Sequence, residues 1–153
     1  MKKILFICSG NTCRSPMAEA LLNYELEKDN IKDYEAESAG IHCFNEMPAS
    51  ENSIKVMQEL DIDITDHKSK KINTIILNEA YKIIALTQSI AEQLKRYYPE
   101  FREKITTLKF YLENRDDDVR DPFMSDVNEY RCCREEIYKC VKKLVELIKA
   151  QKL

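Results

Sequence analysis

Apolar residues along this chain follow two alternating periods. Ile4-Leu5-Phe6-Ile7 is a continuous apolar run, short enough to be a strand covered on both faces. The stretch Ser15-Pro16-Met17-Ala18-Glu19-Ala20-Leu21-Leu22 predicts a helix with Ser15 as its cap and Pro16 in its first position. Tyr34 to Ala39 reads as a short strand ending at Gly40. Ala49 to Leu60 is helical, with Ile54, Met57 and Leu60 on one face. A short helix is expected over Ile72 to Leu77, a buried strand over Tyr81 to Leu86, and a helix over Ser89 to Tyr98 that Pro99 halts. A fourth strand is expected within Lys104 to Phe110. From Val127 to Lys149, Tyr130, Cys133, Ile137, Val141, Leu144 and Ile148 recur at three- and four-residue steps and mark a long amphipathic helix.

Strands alternating with helices predict an α/β fold, a parallel four-stranded sheet with helices on both faces. The 153 residues suit one domain spanning 1–153. In such sheets ligands bind beyond the carboxyl ends of the strands, and Cys8 falls at such an end.

Composition removes several classes of function. Charged residues make up 33% and hydrophobic ones 44%, the balance of an ordinary soluble domain. A net charge of −3 gives no basic footprint for nucleic acid. The apolar runs are too short for a membrane span, and the run after Met1-Lys2-Lys3 ends too soon for a signal peptide. A cytoplasmic protein with no membrane partner is expected. Its six cysteines then read as reduced thiols, with no C-x-x-C pair or zinc spacing among them. No metal or cofactor is called for, and the oligomeric state is left open. Asp116-Asp117-Asp118 is most simply a solvated loop.

Cys8-Ser9-Gly10-Asn11-Thr12-Cys13-Arg14-Ser15 joins the first strand to the first helix, and its chemistry is that of an anion loop. A loop pinched between strand end and helix start turns backbone N–H groups toward one point, where the helix dipole adds positive charge. Arg14 supplies a planar fork of donors for two phosphate oxygens. Cys8 opens this nest, an electropositive setting suited to a thiolate nucleophile. Taken singly, Cys8 could be a core cysteine and Arg14 a solvated residue; their joint spacing argues for a phosphate site. With Gly10 and Gly40 as the only glycines, neither of the familiar glycine-rich nucleotide loops can be written in this chain.

Ile7 to Pro16, as I-C-S-G-N-T-C-R-S-P, resembles the signature of the low-molecular-weight protein phosphatases, and Asp121-Pro122-Phe123 resembles that family's downstream Asp-Pro. Ser38-Ala39-Gly40 and His67 also fall where the family carries such residues. The resemblance runs from Lys3 to about Leu147. It implies Cys8 as nucleophile, Arg14 as phosphate clamp and Asp121 as general acid and then base. Ser9, Gly10, Asn11, Thr12, Cys13 and Ser15 would form the phosphate-binding loop. Asn11, Ser15, Ser38 and His67 look like its supporting shell. Phe123 is expected to wall the substrate slot, with Phe44 a weaker candidate for the other side; His42 has no role assigned. The resemblance also implies that Cys8 and Cys13 can form a reversible protective disulfide.

Tyrosine-directed members typically carry Ile between the loop's Asn and second Cys, where this chain has Thr12. C-x-G-N-T-C-R-S with D-P-F resembles the bacterial protein arginine phosphatase branch, as does the segment from Thr107-Leu108-Lys109 to Asp121-Pro122-Phe123. A hydroxyl in place of part of an apolar wall suits a guanidinium better than a phenyl ring, by about 1–3 kcal/mol. Phosphorylated proteins are thus the expected partners, with phosphoarginine favoured and phosphotyrosine the alternative. Arsenate reduction on the same scaffold would need resolving cysteines within Thr87 to Tyr98, where there are none. A binding module without catalysis would not need Cys8, Arg14 and Asp121 together.

Overall fold

The computed structural model describes residues 1–113 and 118–153. Four strands, β1 (Lys2–Cys8), β2 (Tyr34–Gly40), β3 (Ala80–Ala85) and β4 (Ile105–Thr107), form one sheet in the order β2-β1-β3-β4. Every neighbouring pair is parallel. Ile4, Phe6 and Ile7 are wholly buried, which is why β1 reads as an unbroken apolar run. The β1–β2 register sets Cys8 beside Gly40.

Among the described residues six α-helices accompany the sheet: α1 (Arg14–Lys28), α2 (Glu51–Gln58), α3 (Thr74–Glu79), α4 (Gln88–Tyr97), α5 (Phe110–Glu113) and α6 (Val127–Lys149). α1 lies against β1 and β2 and packs along α6, which α2 and α5 also meet; α3 and α4 serve the β3 side. The expected stripe of α6, from Tyr130 to Ile148, is buried throughout. α2 is clamped to α6 by Glu59: Arg131 grips it with Nε at 2.9 Å and Nη2 at 2.6 Å, and Arg134 Nη1 adds a bond at 2.7 Å. These hydrogen bonds, Arg131's first, hold the Glu59 carboxyl down at about 2. Among the described residues no helix is long and apolar enough to cross a membrane.

Several expected boundaries move, each for a local reason. α1 starts at Arg14 with Cys13 in the cap position and no side-chain cap bond, so Ser15 is not the cap and Pro16 is not the first helical residue. The Ser15 hydroxyl is taken up by Cys8 and Asn11, which leaves first-turn amides of the helix to the loop. Ser50 caps α2 by accepting from the Ser53 N–H, so the helix begins at Glu51, and its buried line runs through Val56 and Met57. Ile72 donates its N–H to the Gly40 carbonyl, and α3 begins only after Asn73, which accepts from the Ile76 N–H. β4 stops at Thr107 because the chain turns at the fully buried Leu108, and Phe110 opens α5. Of the acidic run, Asp116 and Asp117 lie outside the described residues. Asp118 Oδ1 accepts the Gln88 N–H at 2.7 Å, at the start of α4.

Candidate active site

Cys8 is the last residue of β1, and its thiol is buried, 2.9 Å from Ser15 Oγ and 3.3 Å from the Asn11 N–H that donates to it. The loop between them is shaped by Asn11. That residue holds a left-handed conformation at φ 56°, costly for a side chain with a Cβ and tolerated best by Asn. Both ends of its side-chain amide are engaged. Nδ2 donates to Ser15 Oγ at 2.8 Å and to Ser38 Oγ at 2.9 Å, and Oδ1 accepts the Lys70 N–H at 2.9 Å. His67 Nε2 donates to the Asn11 carbonyl at 2.7 Å. Thus Ser15, Ser38 and His67 meet at Asn11. The backbone they hold is the one that wraps Cys8.

The network continues one step beyond the residues expected from sequence. Ser38 Oγ donates to Glu19 Oε1 at 2.7 Å. Burial pushes the Glu19 carboxyl up, while the Ser38 bond and the charges of His67 and Lys70 pull it down. Glu19 is four residues after Ser15 on one helix face, a spacing that could have flagged it. Lys70 contributes only its backbone N–H to Asn11, a role no side-chain pattern announces.

Arg14 is buried, yet its guanidinium is incompletely satisfied. Nη1 donates to the Val119 carbonyl at 2.9 Å, Nη2 lies 3.5 Å from Asp121 Oδ2, and Nε has no hydrogen-bond partner. Asp121 is carried over the loop by a segment tied to the sheet. The Val119 N–H donates to the carbonyl of Leu86, just past β3, and Asp118 is bonded to the start of α4. Asp121 Oδ1 accepts the Phe123 N–H at 3.0 Å, closing a tight turn in which Met124 takes φ 67°.

These parts enclose a slot of about 200 Å³ with Cys8, Ser9, Gly10 and Arg14 in its lining. Thr12, Cys13, His42, Asp121 and Phe123 complete the lining. Phe123 lies at the slot, 63% exposed. Phe44 is 84% exposed and outside the lining, and its carbonyl accepts from the buried Ser69 hydroxyl at 2.6 Å. His42 lines the slot instead, its N–H donating to the Ser9 carbonyl at 3.0 Å.

Cys13 also lines the slot and meets groups from outside the loop. Its Sγ donates to Ser50 Oγ at 3.5 Å and lies 3.4 Å from the Tyr130 hydroxyl of α6. Cys8 and Cys13 are both free thiols here. Burial pushes Tyr130 up to about 12, so it stays a neutral partner. Cys43 packs against Gly40, and burial, reinforced by Cys8, pushes its thiol up.

A buried thiol at a strand end, set in an anion loop and faced by a carboxylate, can take a phosphoryl group from a substrate and pass it to water. Fold and site together define a cysteine-dependent protein phosphatase. The chain belongs to the family described as low molecular weight phosphotyrosine protein phosphatase, whose sequence model matches residues 3–153. It is 32% identical over 149 residues to a protein-arginine-phosphatase of Geobacillus stearothermophilus, covering 97% of each chain. A solved low molecular weight protein tyrosine phosphatase from T. tengcongensis superposes with a TM-score of 0.90 at 37% identity, over 95% of this chain and 99% of that one. YwlE arginine phosphatase, in a mutant with a phosphorylated active-site serine, superposes with a TM-score of 0.92 at 28% identity, over 96% and 95% of the two chains.

Proposed function

We propose that this protein removes the phosphoryl group from phosphoarginine in other proteins through a phosphocysteine intermediate. The observation that carries the choice of substrate is Thr12, a residue of the slot lining that stands where tyrosine-directed members of the family typically carry Ile. Similarity to an arginine phosphatase over nearly the whole chain supports it. In the first step the Cys8 thiolate attacks phosphorus, the P–N bond breaks, and Asp121 gives its proton to the departing guanidine nitrogen. Arg14 and the loop amides hold the phosphoryl oxygens as charge shifts onto them. The unpartnered Nε of Arg14 supplies a buried donor that a phosphate oxygen would satisfy. In the second step the ionised Asp121 takes a proton from water, the water oxygen attacks phosphorus, and the S–P bond breaks to release phosphate and the thiolate. The Ser15 hydroxyl, 2.9 Å from Cys8 Sγ, stabilises the sulfur as it leaves.

Phosphotyrosine is the second reading, favoured by the Phe123 wall and by the 37% identity to the T. tengcongensis enzyme. A cytoplasmic site of action is supported by the six cysteines, all free thiols. Catalytic efficiencies on matched phosphoarginine and phosphotyrosine peptides, measured for wild type and Thr12→Ile, test the choice. Wild type should prefer phosphoarginine, and Thr12→Ile should move the ratio toward phosphotyrosine by roughly 5- to 150-fold. Thr and Ile are both β-branched, so the loop accepts the change. A wild-type preference for phosphotyrosine would overturn the phosphoarginine reading.

A further inference from the structure

The acidic run expected to be a solvated loop ends in Asp118, and this residue is tied down. Its Oδ1 accepts the Gln88 N–H at 2.7 Å, a length typical of a charged acceptor. Gln88 is the first residue of α4, so its N–H has no partner within the helix. Thr87 caps the same turn by accepting the Ile90 N–H at 3.1 Å, which leaves the Gln88 N–H to Asp118. The carboxylate also meets the positive end of a ten-residue helix. Val119, next in the chain, is wholly buried and stitched on both sides. Its N–H donates to the Leu86 carbonyl at 3.0 Å, and its carbonyl accepts from Arg14 Nη1 at 2.9 Å. Beyond Val119 the contacts are longer: the Arg120 carbonyl meets Cys133 Sγ at 3.7 Å, and the exposed Arg120 side chain reaches Glu129 at 3.9 Å.

We infer that Asp118 is a positioning residue for the general acid, its bond to the start of α4 fixing the segment from which Asp121 reaches over the nucleophile loop; this rests on Asp121 being the acid, as proposed above. A general acid must lie within hydrogen-bond reach of the leaving atom, and a displacement of about 1 Å costs on the order of 10²-fold in rate. Asp121 has little to aim it at its own position. Its carboxylate is half exposed, Oδ1 accepts from the Phe123 N–H within the same turn, and Oδ2 meets Arg14 Nη2 only at 3.5 Å. The aim comes from the chain just before it. The Val119 bonds are made by backbone, whatever side chain stands there, so Asp118 is the residue whose identity secures the segment.

The bond can be cut from either end. Asp118→Ala deletes the acceptor. Gln88→Pro deletes the donor at the first helical position, where proline fits, and Thr87 before it already holds the extended backbone that proline requires, at φ −139° and ψ 159°. Asp118→Asn keeps an acceptor oxygen without the charge. The experiment measures kcat/KM, which reports the steps through leaving-group departure, on aryl phosphates of rising leaving-group pKa. Wild type, these three variants and Asp121→Ala are compared, with thermal melts confirming that each is folded; should one of the two cuts not fold, the other carries the test. Asp118→Ala and Gln88→Pro should each lose about tenfold at the poorest leaving group and less than about twofold at the best, a shallower form of the trend in Asp121→Ala. Asp118→Asn should recover most of that loss. Asp118→Ala and Gln88→Pro combined should lose no more than either alone, because both cut one bond, and Asp118→Ala should cost nothing further once Asp121 is Ala. A loss that is equal at every leaving group, or no loss, overturns the Asp118 assignment while Asp121→Ala keeps its trend and the acid reading stands. If Asp121→Ala itself shows no trend, the acid reading falls and the assignment falls with it.

Discussion

Arg14 Nη2 and Asp121 Oδ2 stand 3.5 Å apart, the guanidinium 5% exposed and the carboxylate 48% exposed. The buried partner is also held from behind, because Arg14 Nη1 donates to the carbonyl of Val119, two residues before Asp121. One short segment therefore aims both the phosphate clamp and the acid. Its own position comes from Leu86 and Gln88, at the end of β3 and the start of α4.

Removal of the acid should slow the first chemical step most for poor leaving groups. Asp121→Ala is expected to reduce turnover by about 10²–10⁴, the usual contribution of a positioned general acid. A series of aryl phosphates with rising leaving-group pKa checks this, because the loss should grow along the series. A uniform loss would mean that Asp121 acts by placing Arg14.

Cys8→Ser should abolish turnover but retain phosphate binding, since the anion is held by backbone amides and Arg14. Calorimetric titration with inorganic phosphate, beside an activity assay, separates the two effects. Arg14→Lys should weaken that binding, because an ammonium cannot reproduce two directed bonds and the Val119 contact together. Residual turnover in a clean Cys8→Ser preparation would rule out a phosphocysteine.

Gly40 marks where β2 and the nucleophile loop come too close for a side chain. A Cβ there would sit 2.7 Å from Cys43 Sγ, 2.8 Å from the Ser9 carbonyl oxygen and 3.1 Å from Asn11 Cβ. Gly40→Ala should lower stability by about 1–3 kcal/mol, read from urea unfolding, and reduce kcat by displacing Ser9 and Asn11. Adding Cys43→Ala should restore little, because the Ser9 oxygen is backbone and cannot swing aside.

The Glu59 clamp gives stability a defined acid limit. Its carboxyl lies at about 2 in the folded protein, below the unfolded value of roughly 4.3. A depressed carboxyl contributes stability above the unfolded value and loses it as pH falls through the folded one. Glu59→Gln should therefore lower Tm at pH 7, and the gap to wild type should close between about pH 4 and pH 2. Arg134, buried and already short of a partner at Nε, is the residue the variant would leave exposed to that loss. Thermal melts across that range provide the check.

The elements that came directly from sequence are those whose signal is local. The unbroken run in β1 and the stripe along α6 report burial on two faces and on one, and burial is what the apolar period encodes. The loop from Cys8 to Ser15 was legible for a similar reason, since nucleophile, clamp and loop polar groups are contiguous in the chain. Where polar groups compete for partners, local reading lost its grip. Ser15 could cap a helix or serve a thiol, and Asn11, itself pinned by Ser38 and Lys70 from distant segments, draws it to the thiol. Phe44 and His42 were equally free to face the slot. The structure leaves Phe44 outside the lining and puts His42 in it, with the Phe44 carbonyl bonded to Ser69 and the His42 N–H to Ser9. Asp121 reached Arg14 through anchors at Leu86, just past β3, and at Gln88 of α4, more than thirty residues earlier in the chain. Hydrophobic period follows from each segment's own residues, whereas a hydrogen bond goes to whichever partner the fold brings within about 3 Å.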